Sequence, residues 1–490
     1  MLKYTQSAKP RAERVKLNYL SEESKTTLHN GALRILGNTG VLVDSPEAVE
    51  LLRQAGGLVH KRGGHWIVRL PEWLVAECLE STPKAPTWFG VRLERDWRLL
   101  PGRTGFMCFA VHVNRIDPRT RQVSIATTEE AEECYRVIDY LPHLPVTIDV
   151  VTIGDVPATT MPPHNFLALL RTTTKHLYTC PEDLTNFEVM LKMAHLVAGG
   201  EEAFRRRPFM TTTVSPTSPV RLTRNCCDLI IAGARAGSPV HSVNMSLNGA
   251  TAPITNASAV ALTWAELLSS LVLAQVAARG VQVILSTCST IMDMKTGLAA
   301  VGAPEFGMIG SAVAELLQKF QLYGYVGGGV SDSKIPDMQA AYEFSQTAML
   351  SALTGAPLVF GAGSLEGGLT FDLAKLLLDH EAIDNIHRIM NGLDCRPEEL
   401  ALDLIDEIGP GQQFMTHRHT FQRARSLSQG QLFDRQSRGK WESLGSLPAH
   451  ERAYAKALEI IENHRPVYLD PKLEPELRAL IAENDAKNGR

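Results

Sequence analysis

From about Pro145 onward, the sequence repeats one pattern: a short apolar or β-branched run, a loop rich in small and polar residues, and a longer segment with helical periodicity. Eight runs are predicted as strands: Val146–Thr152, Lys175–Cys180, Pro208–Val214, Val240–Leu247, Val281–Thr287, Leu322–Val326, Leu358–Gly361 and Gln413–His417. Strands that alternate with helices favour a parallel sheet, and eight such units favour closure into a barrel. The predicted fold class is α/β, a (β/α)8 TIM barrel.

The remainder of the chain divides around this barrel. Residues 1–144 are predicted to form an N-terminal cap of helices and strands, residues 145–425 the catalytic barrel, and residues 426–490 a helical extension. The extension contains two segments of helical periodicity, Pro448–Asn463 and Glu474–Ala486. Barrels with insertions reach 490 residues as a single unit.

Charge and cysteine content exclude several classes of function. The net charge is -4 and the one basic run is Arg205–Arg207, so a nucleic-acid surface is not expected. The eight cysteines include no C-x-x-C pair, which fits reduced thiols better than disulfides or a structural zinc site. The first residues lack an apolar signal segment, and the protein is expected to be cytoplasmic.

The loop that follows the predicted strand Val240–Leu247 is a candidate for cofactor contacts. Asn244 lies in the strand, Gly249 permits close approach of a backbone, and Thr251 offers a hydroxyl ahead of a helix N-terminus. A tight turn with a helix cap explains the same residues equally well.

The loop after the sixth predicted strand contains three consecutive glycines, Gly327, Gly328 and Gly329. Their small size predicts close approach of a ligand or a docked partner. The spacing does not match a phosphate-binding loop. Asp332 and Lys334 follow, and a simple ion pair between them would also order the loop.

Two later segments add candidate ligands. Gly363, Ser364, Glu366 and Phe371 follow the seventh predicted strand. His417 and His419 have the spacing of one strand face, which is also a metal-ligand spacing. Since no Cys or acidic partner accompanies them, a hydrogen-bonded pair is favoured over a zinc site.

In combination, these motifs resemble one family. GATAPIT, MDMKTG, GAPE, SDSKIPDMQAAYE, GAGSLEGGLTFD and a late HT occur in an order and spacing similar to the trimethylamine methyltransferase family over roughly residues 17 to 465. The resemblance implies a (β/α)8 enzyme that moves a methyl group from an amine to the cobalt of a cobalamin, or corrinoid, carried on a partner protein, with no metal of its own.

One departure from the family bears on the substrate. The founding members carry pyrrolysine in the barrel, whereas this chain has only standard residues, including the region from Gly324 to Lys334. The resemblance therefore implies a quaternary amine, with glycine betaine as the first candidate. A quaternary nitrogen leaves as a neutral amine, so such a site needs no general acid.

The expected substrate site is built from aromatic faces and a few polar groups. A quaternary ammonium is usually held by aromatic rings, each contributing about 0.5–2 kcal/mol. The candidate rings are Phe106, Phe109, Tyr325, Phe360 and Phe371, although each also suits a core. Candidate partners of the substrate carboxylate are His176, His417 and the Gly363–Ser364 turn, and candidate partners of the cation are Asp332 and Glu366. Cobalamin is expected to approach across Gly327–Gly329.

Two alternatives remain at this level. One is a zinc-dependent barrel methyltransferase or lyase that uses His417 and His419. The other is a betaine-binding or corrinoid-docking protein without turnover. Assembly into a homo-oligomer is compatible with either.

Overall fold

The computed structural model describes residues 15–84, 86–98, 103–466 and 468–489. Within them, eight parallel strands form one sheet in the order β1-β8-β7-β6-β5-β4-β3-β2. The strands are β1 Gly105–Cys108, β2 Val146–Ile148, β3 His176–Thr179, β4 Met210–Val214, β5 Val240–Asn244, β6 Val283–Thr287, β7 Tyr325–Gly327 and β8 Leu358–Ala362.

Strands β1 and β2 meet to close the barrel. The Phe106 amide donates to the His143 carbonyl at 3.3 Å, and the His112 amide donates to the Val150 carbonyl at 2.9 Å. These bonds join the two end strands of the sheet, and the parallel order places the carboxyl ends of all eight strands at one mouth.

One strand prediction is wrong. The segment Gln413–His417 is largely exposed and forms turns, and β1 supplies the eighth strand instead. Gln413–His417 offers only one short apolar pair, Phe414-Met415, so it cannot fill a position that is buried on both faces. Because β1 lies inside residues 1–144, the barrel begins before residue 145.

A helix follows each strand, with an intervening hairpin in some loops: α1 Thr128–Tyr140, α2 Met161–Thr172, α3 Leu184–Ala198, α4 Arg224–Ala236, α5 Asn256–Ala277, α6 Pro304–Lys319, α7 Met338–Leu353 and α8 Leu373–Met390. Side chains cap several starts: Asp337 accepts from Ala340 N and Asp372 from Lys375 N. Of the described helices, α5 alone has the length and apolar content of a membrane span, but 83% of that window is buried in the protein, as in a core helix.

The N-terminal segment covers α5 and closes the amino end of the barrel. Helices Glu22–Arg34, Pro46–Gln54 and Glu72–Ser81 pack on α5, and a four-stranded sheet joins Val41–Val43, Leu58–Arg62 and His65–Arg69 to Arg221–Leu222. Trp88 is fully buried and lies edge-on to Tyr178 of β3, 5.8 Å between ring centroids.

The C-terminal segment returns to the barrel. After a largely exposed stretch from residue 391 to 447, helix Ala449–Asn463 packs against α1 and α8, and helix Glu474–Asn488 packs against α2 and α3. The Tyr454 hydroxyl donates to Asp372 at 2.7 Å, which links the first of these helices to the cap of α8.

Candidate active site

Aromatic rings cross the interior of the barrel from the mouth inward. Phe109, just beyond β1, stacks on Phe360 of β8 with 5.3 Å between ring centroids. Phe360 lies edge-on to Tyr325 of β7, with 5.2 Å between centroids. His241 of β5 lies 4.4 Å from Tyr325 and 5.2 Å from Tyr178. We call these five residues the aromatic column. Three of them, Phe109, Tyr325 and Phe360, are among the candidate substrate-binding rings named from the sequence.

Polar groups line the opposite side of the interior, on β2 to β5. The Asp149 carboxylate follows β2 and accepts from Cys180 N at 3.3 Å; burial and then Asp149 raise the pKa of the Cys180 thiol, whereas Thr213 lowers it. Thr213 Oγ1 in turn lies 3.2 Å from His241 Nδ1. The interior therefore has an aromatic side and a hydrogen-bonding side.

Asp149 is the most perturbed acid of this site. Burial raises its pKa to about 7, against the Cys180 hydrogen bonds, which lower it. Its charge also acts on Tyr325, whose phenol pKa burial raises well above the ordinary value. Asp149 Oδ1 is buried and has no hydrogen-bond partner among the described residues. A buried acid beside aromatic faces is a frequent feature of functional sites.

Two predicted aromatic residues lie outside the column. Phe106 pairs in register with Val359, on the face opposite Met107 and Phe360, and packs edge-on to His387 of α8 at 5.5 Å. Phe371 is fully buried beside His112, 5.3 Å between centroids. The prediction for Phe106 is wrong because alternation along β1 turns its ring outward.

Three predicted carboxylate donors are already engaged. His176 donates from Nδ1 to the Phe89 carbonyl at 2.8 Å, and its Nε2 accepts from Thr211 Oγ1 at 2.7 Å. Ser364 bonds to His112 Nε2 at 2.8 Å, and the Gly363 amide donates to Asp379 at 2.8 Å. These groups order the barrel and its loops.

The predicted cation partners, Asp332 and Glu366, also hold loops together. Asp332 accepts from Gly302 N at 3.0 Å and Val301 N at 3.3 Å, and burial raises its pKa. Glu366 accepts from the Thr370 hydroxyl. Asp332 therefore links the loop after β7 to the loop after β6.

The glycine run does not leave room for a partner. Gly327, Gly328 and Gly329 are buried, and an added Cβ would lie 2.2 Å from Phe306, 2.8 Å from Val359 and 2.7 Å from Phe344, respectively. The glycines are required by packing between β7 and the helices that cover it. The expectation that cobalamin approaches across them is wrong for this reason.

A buried ion pair secures the same loops from behind. Lys375 Nζ donates to the Gly329 carbonyl at 3.0 Å and to Asp379 Oδ2 at 2.7 Å. Because Asp379 also accepts from Gly363 N, one pair fixes the loops after β7 and β8.

The remaining predicted contacts have local roles. Asn244 Nδ2 donates to Glu266 of α5 at 2.7 Å, while Thr251 Oγ1 accepts from Leu247 N at 2.9 Å within its own turn. Gly249 is exposed and has a positive φ of 88°. Gly249 thus remains at the surface of the mouth.

His417 was a candidate partner of the substrate carboxylate, but it lies on the C-terminal stretch and not on a barrel strand. Its Nδ1 accepts from the His419 amide at 3.1 Å and caps the short helix Arg418–Arg423, on the largely exposed C-terminal stretch. Across the ranges described, no three or more His, Cys, Asp or Glu side chains converge as a candidate metal site.

Sequence reasoning missed Asp149, Tyr178, Cys180 and His241. Three of them had a usable signal: Asp149 is the one charged residue of the predicted strand Val146–Thr152, and Tyr178 and Cys180 share one face of the predicted strand Lys175–Cys180 by two-residue alternation.

The loops around the mouth and the start of α7 carry many exposed apolar side chains. They follow β1, β5, β6, β7 and β8 and are Val113, Ile125, Met245, Ile254, Met294, Leu298, Ile335, Met338, Tyr342 and Leu369. We call this set the apolar rim. Exposed apolar groups concentrated in one place mark interaction surfaces.

A closed parallel barrel with aromatic and acidic side chains at the carboxyl ends of its strands defines a (β/α)8 barrel enzyme. The family model described as trimethylamine methyltransferase (MTTB) matches residues 3–489. The trimethylamine methyltransferase MttB of Desulfitobacterium hafniense (strain DSM 10664 / DCB-2) is 36% identical over 99% of this chain and 97% of its own length. The glycine betaine methyltransferase of D. hafniense (strain Y51) is 26% identical over 97% and 98%.

The fold agrees with a solved structure. The monomethylamine methyltransferase MtmB of Methanosarcina barkeri aligns with a TM-score of 0.50 and 10% identity, over 91% of this chain and 93% of that chain. The chain belongs to the trimethylamine methyltransferase family, and it is a methyltransferase.

Proposed function

We propose that the enzyme transfers a methyl group from a quaternary amine, with glycine betaine as the first candidate, to Co(I) of a corrinoid carried by a partner protein. The N–C bond breaks and its electron pair stays on nitrogen as a neutral tertiary amine. Two electrons of Co(I) form the new Co–C bond. No proton is transferred, so the enzyme contributes positioning and exclusion of water.

The main support for this proposal is the outer part of the aromatic column, formed by the rings of Phe109, Phe360 and Tyr325. Phe360 of β8 lies between Phe109, which follows β1, and Tyr325 of β7, with ring centroids 5.3 Å and 5.2 Å from its own. Such faces attract a quaternary ammonium through their quadrupoles. The nearby Asp149 carboxylate, when ionised, adds a charge of the opposite sign.

The substrate class is supported by the residues of the β7 loop. The segment from Gly324 to Lys334 consists of standard residues, whereas the founding members of the family carry pyrrolysine in the barrel. The similarity to a protein named glycine betaine methyltransferase covers nearly the whole chain and points in the same direction.

The apolar rim supports a protein partner that delivers the methyl acceptor. Its loops are joined to each other: Leu247–Asn248 pairs with Thr290–Ile291, and Asp332 bonds to Val301 and Gly302. A connected platform with exposed methionines and leucines around the mouth suits a docked protein. The corrinoid would then face the aromatic column from outside.

The proposal is tested by adding the purified enzyme to a reduced corrinoid protein with glycine betaine, proline betaine, carnitine or trimethylamine. We expect the visible spectrum to change from Co(I) to methyl-Co(III) with at least one quaternary amine and not with trimethylamine. No spectral change with any quaternary amine would contradict the proposal.

A matched pair of variants separates the site from the core. Phe360→Leu removes a ring of the column, and we expect the KM for the quaternary amine to rise about fivefold or more, the equivalent of roughly 1 kcal/mol of cation–π energy. Phe204→Leu removes a buried ring beside Phe209 and His195, so it should lower Tm while KM stays unchanged.

A further inference from the structure

Two polar atoms in the inner part of the aromatic column lack partners. Tyr178 Oη and His241 Nε2 are both buried and without a hydrogen-bond partner within the described chain. Their rings lie 5.2 Å apart, and both contact Tyr325, at 5.8 Å and 4.4 Å. The two atoms therefore lie in one small region at the inner end of the aromatic column.

Leaving such atoms without partners is costly. A buried polar atom without a hydrogen bond costs about 1–3 kcal/mol, and native proteins satisfy nearly all of them. Two histidines near the column, His176 and His112, have partners for both ring nitrogens. Tyr178 and His241 are adjacent in the barrel interior and each carries a polar atom without a partner, which points to a group that comes from outside the chain.

Both side chains are uncharged hydrogen-bonding groups. Burial raises the Tyr178 pKa well above its ordinary value, so the phenol keeps its proton. Burial lowers the pKa of His241 to about 3, so the imidazole is neutral. When Thr213 donates to Nδ1, the proton of the ring is on Nε2, and both free atoms are donors.

We propose that Tyr178 and His241 bind the carboxylate of a betaine substrate through two hydrogen bonds, while its trimethylammonium group lies against Phe109, Phe360 and Tyr325. This inference rests on the proposed function, and it names the residues that bind the carboxylate end of the substrate.

The arrangement also orients the reacting group. Tyr178 and His241 lie in the middle of β3 and β5, whereas Phe109 lies beyond the end of β1 at the mouth. A betaine held by its carboxylate at the inner end presents its N-methyl groups toward the apolar rim. Such positioning is what the transfer step requires.

The neighbouring acid sets the conditions of the test. Asp149 reaches this region through Cys180 and Thr213, and its pKa of about 7 leaves it largely protonated at pH 6. At that pH its charge opposes a substrate carboxylate least.

The experiment is calorimetric titration at pH 6 of wild type, Tyr178→Phe and His241→Phe with glycine betaine and with tetramethylammonium, which has no carboxylate. We expect each variant to bind glycine betaine at least about tenfold more weakly, as for a lost hydrogen bond to a charged group. Affinity for tetramethylammonium should stay within about twofold. Tyr19→Phe, which changes a partly buried tyrosine of the N-terminal segment away from the barrel mouth, is the control and should change neither affinity.

Equal losses for both ligands, unchanged affinity for both, or no binding of glycine betaine by wild type would each overturn the inference. Thermal unfolding confirms that the variants fold. The outcome is separable from the proposed function: methyl transfer with an unaffected Tyr178→Phe refutes the inference alone, and selective binding without methyl transfer refutes the function alone.

Discussion

At the scale of single residues, side-chain type was predictable and orientation was not. Phe109 and Phe360 were both candidate rings of the substrate site, and their rings stack on each other in the structure. Phe106 has the same chemistry but occupies the other face of β1. Asp149 acquires its character only from burial, which the sequence around it does not reveal.

Asp149→Asn should change the pH dependence of stability. The folded chain holds the Asp149 proton until about pH 7, whereas the unfolded chain releases it near 3.8. Between these pH values the folded state binds a proton that the unfolded state does not. The free energy of unfolding of wild type therefore falls as pH rises from about 4 to 7. The asparagine variant lacks this fall. The Tm of the variant minus the Tm of wild type should therefore be larger at pH 8 than at pH 5.

Differential scanning fluorimetry at the two pH values measures this shift. Asp293→Asn is the control, since the Thr296 and Lys295 amides lower the pKa of that exposed carboxylate and it titrates below this window. An identical pH response of Asp149→Asn and wild type would contradict the burial argument.

At the scale of elements, helices were predicted to within a few residues because their ends carry local signals. The predicted segments Pro448–Asn463 and Glu474–Ala486 form the helices Ala449–Asn463 and Glu474–Asn488, and elsewhere Asp183 and Asp372 cap α3 and α8. Strands were predicted by their apolar content, and that criterion failed where the barrel needed a partner for β8. The choice of β1 over Gln413–His417 is made by tertiary contacts with β8 and β2.

Gly328→Ala should destabilise the protein. The new Cβ would lie 2.8 Å from Val359 Cγ1 and 3.0 Å from the Thr347 carbonyl, so backbone or strand must shift. Overpacking of this kind costs about 1–3 kcal/mol. Urea denaturation measures the loss. Gly439→Ala, in the helix Arg438–Ser443 where nothing lies within 4 Å of the new Cβ, should be neutral or slightly stabilising.

Equal stability of Gly328→Ala and wild type would show that the β7 loop has space to spare. It would also restore the possibility that this loop admits a docked group.

At the scale of the whole molecule, the chain ends complete the barrel. The helix Ala449–Asn463 buries Tyr454, Ile460 and Ile461 against α1 and α8, although its sequence reads as a peripheral appendage. The N-terminal helices cover α5 in the same way. This barrel is therefore stabilised from outside by the N-terminal and C-terminal segments of the chain.

A chain that ends at residue 447 should aggregate or unfold at a clearly lower temperature than the full chain. Each large apolar side chain lost from the interface removes roughly 1.5–3 kcal/mol of burial and leaves its partner surface on α1 and α8 in water. Size-exclusion chromatography and thermal unfolding report the result. A monomeric truncated protein with an unchanged Tm would show that the extension is dispensable.

What the sequence by itself determined is the class of fold, most of the elements and the family, because apolar periodicity, helix caps and ordered motifs are local properties. Closure of the barrel by β1, the outward turn of Phe106 and the packed state of the glycine run were decided by tertiary structure. So was the convergence of Asp149, Tyr178, Cys180 and His241 from separate strands. Which residues meet, and how far burial shifts their pKa, depends on contacts between segments as far apart in sequence as β1 and β8, where Phe106 pairs with Val359, and no local pattern encodes those contacts.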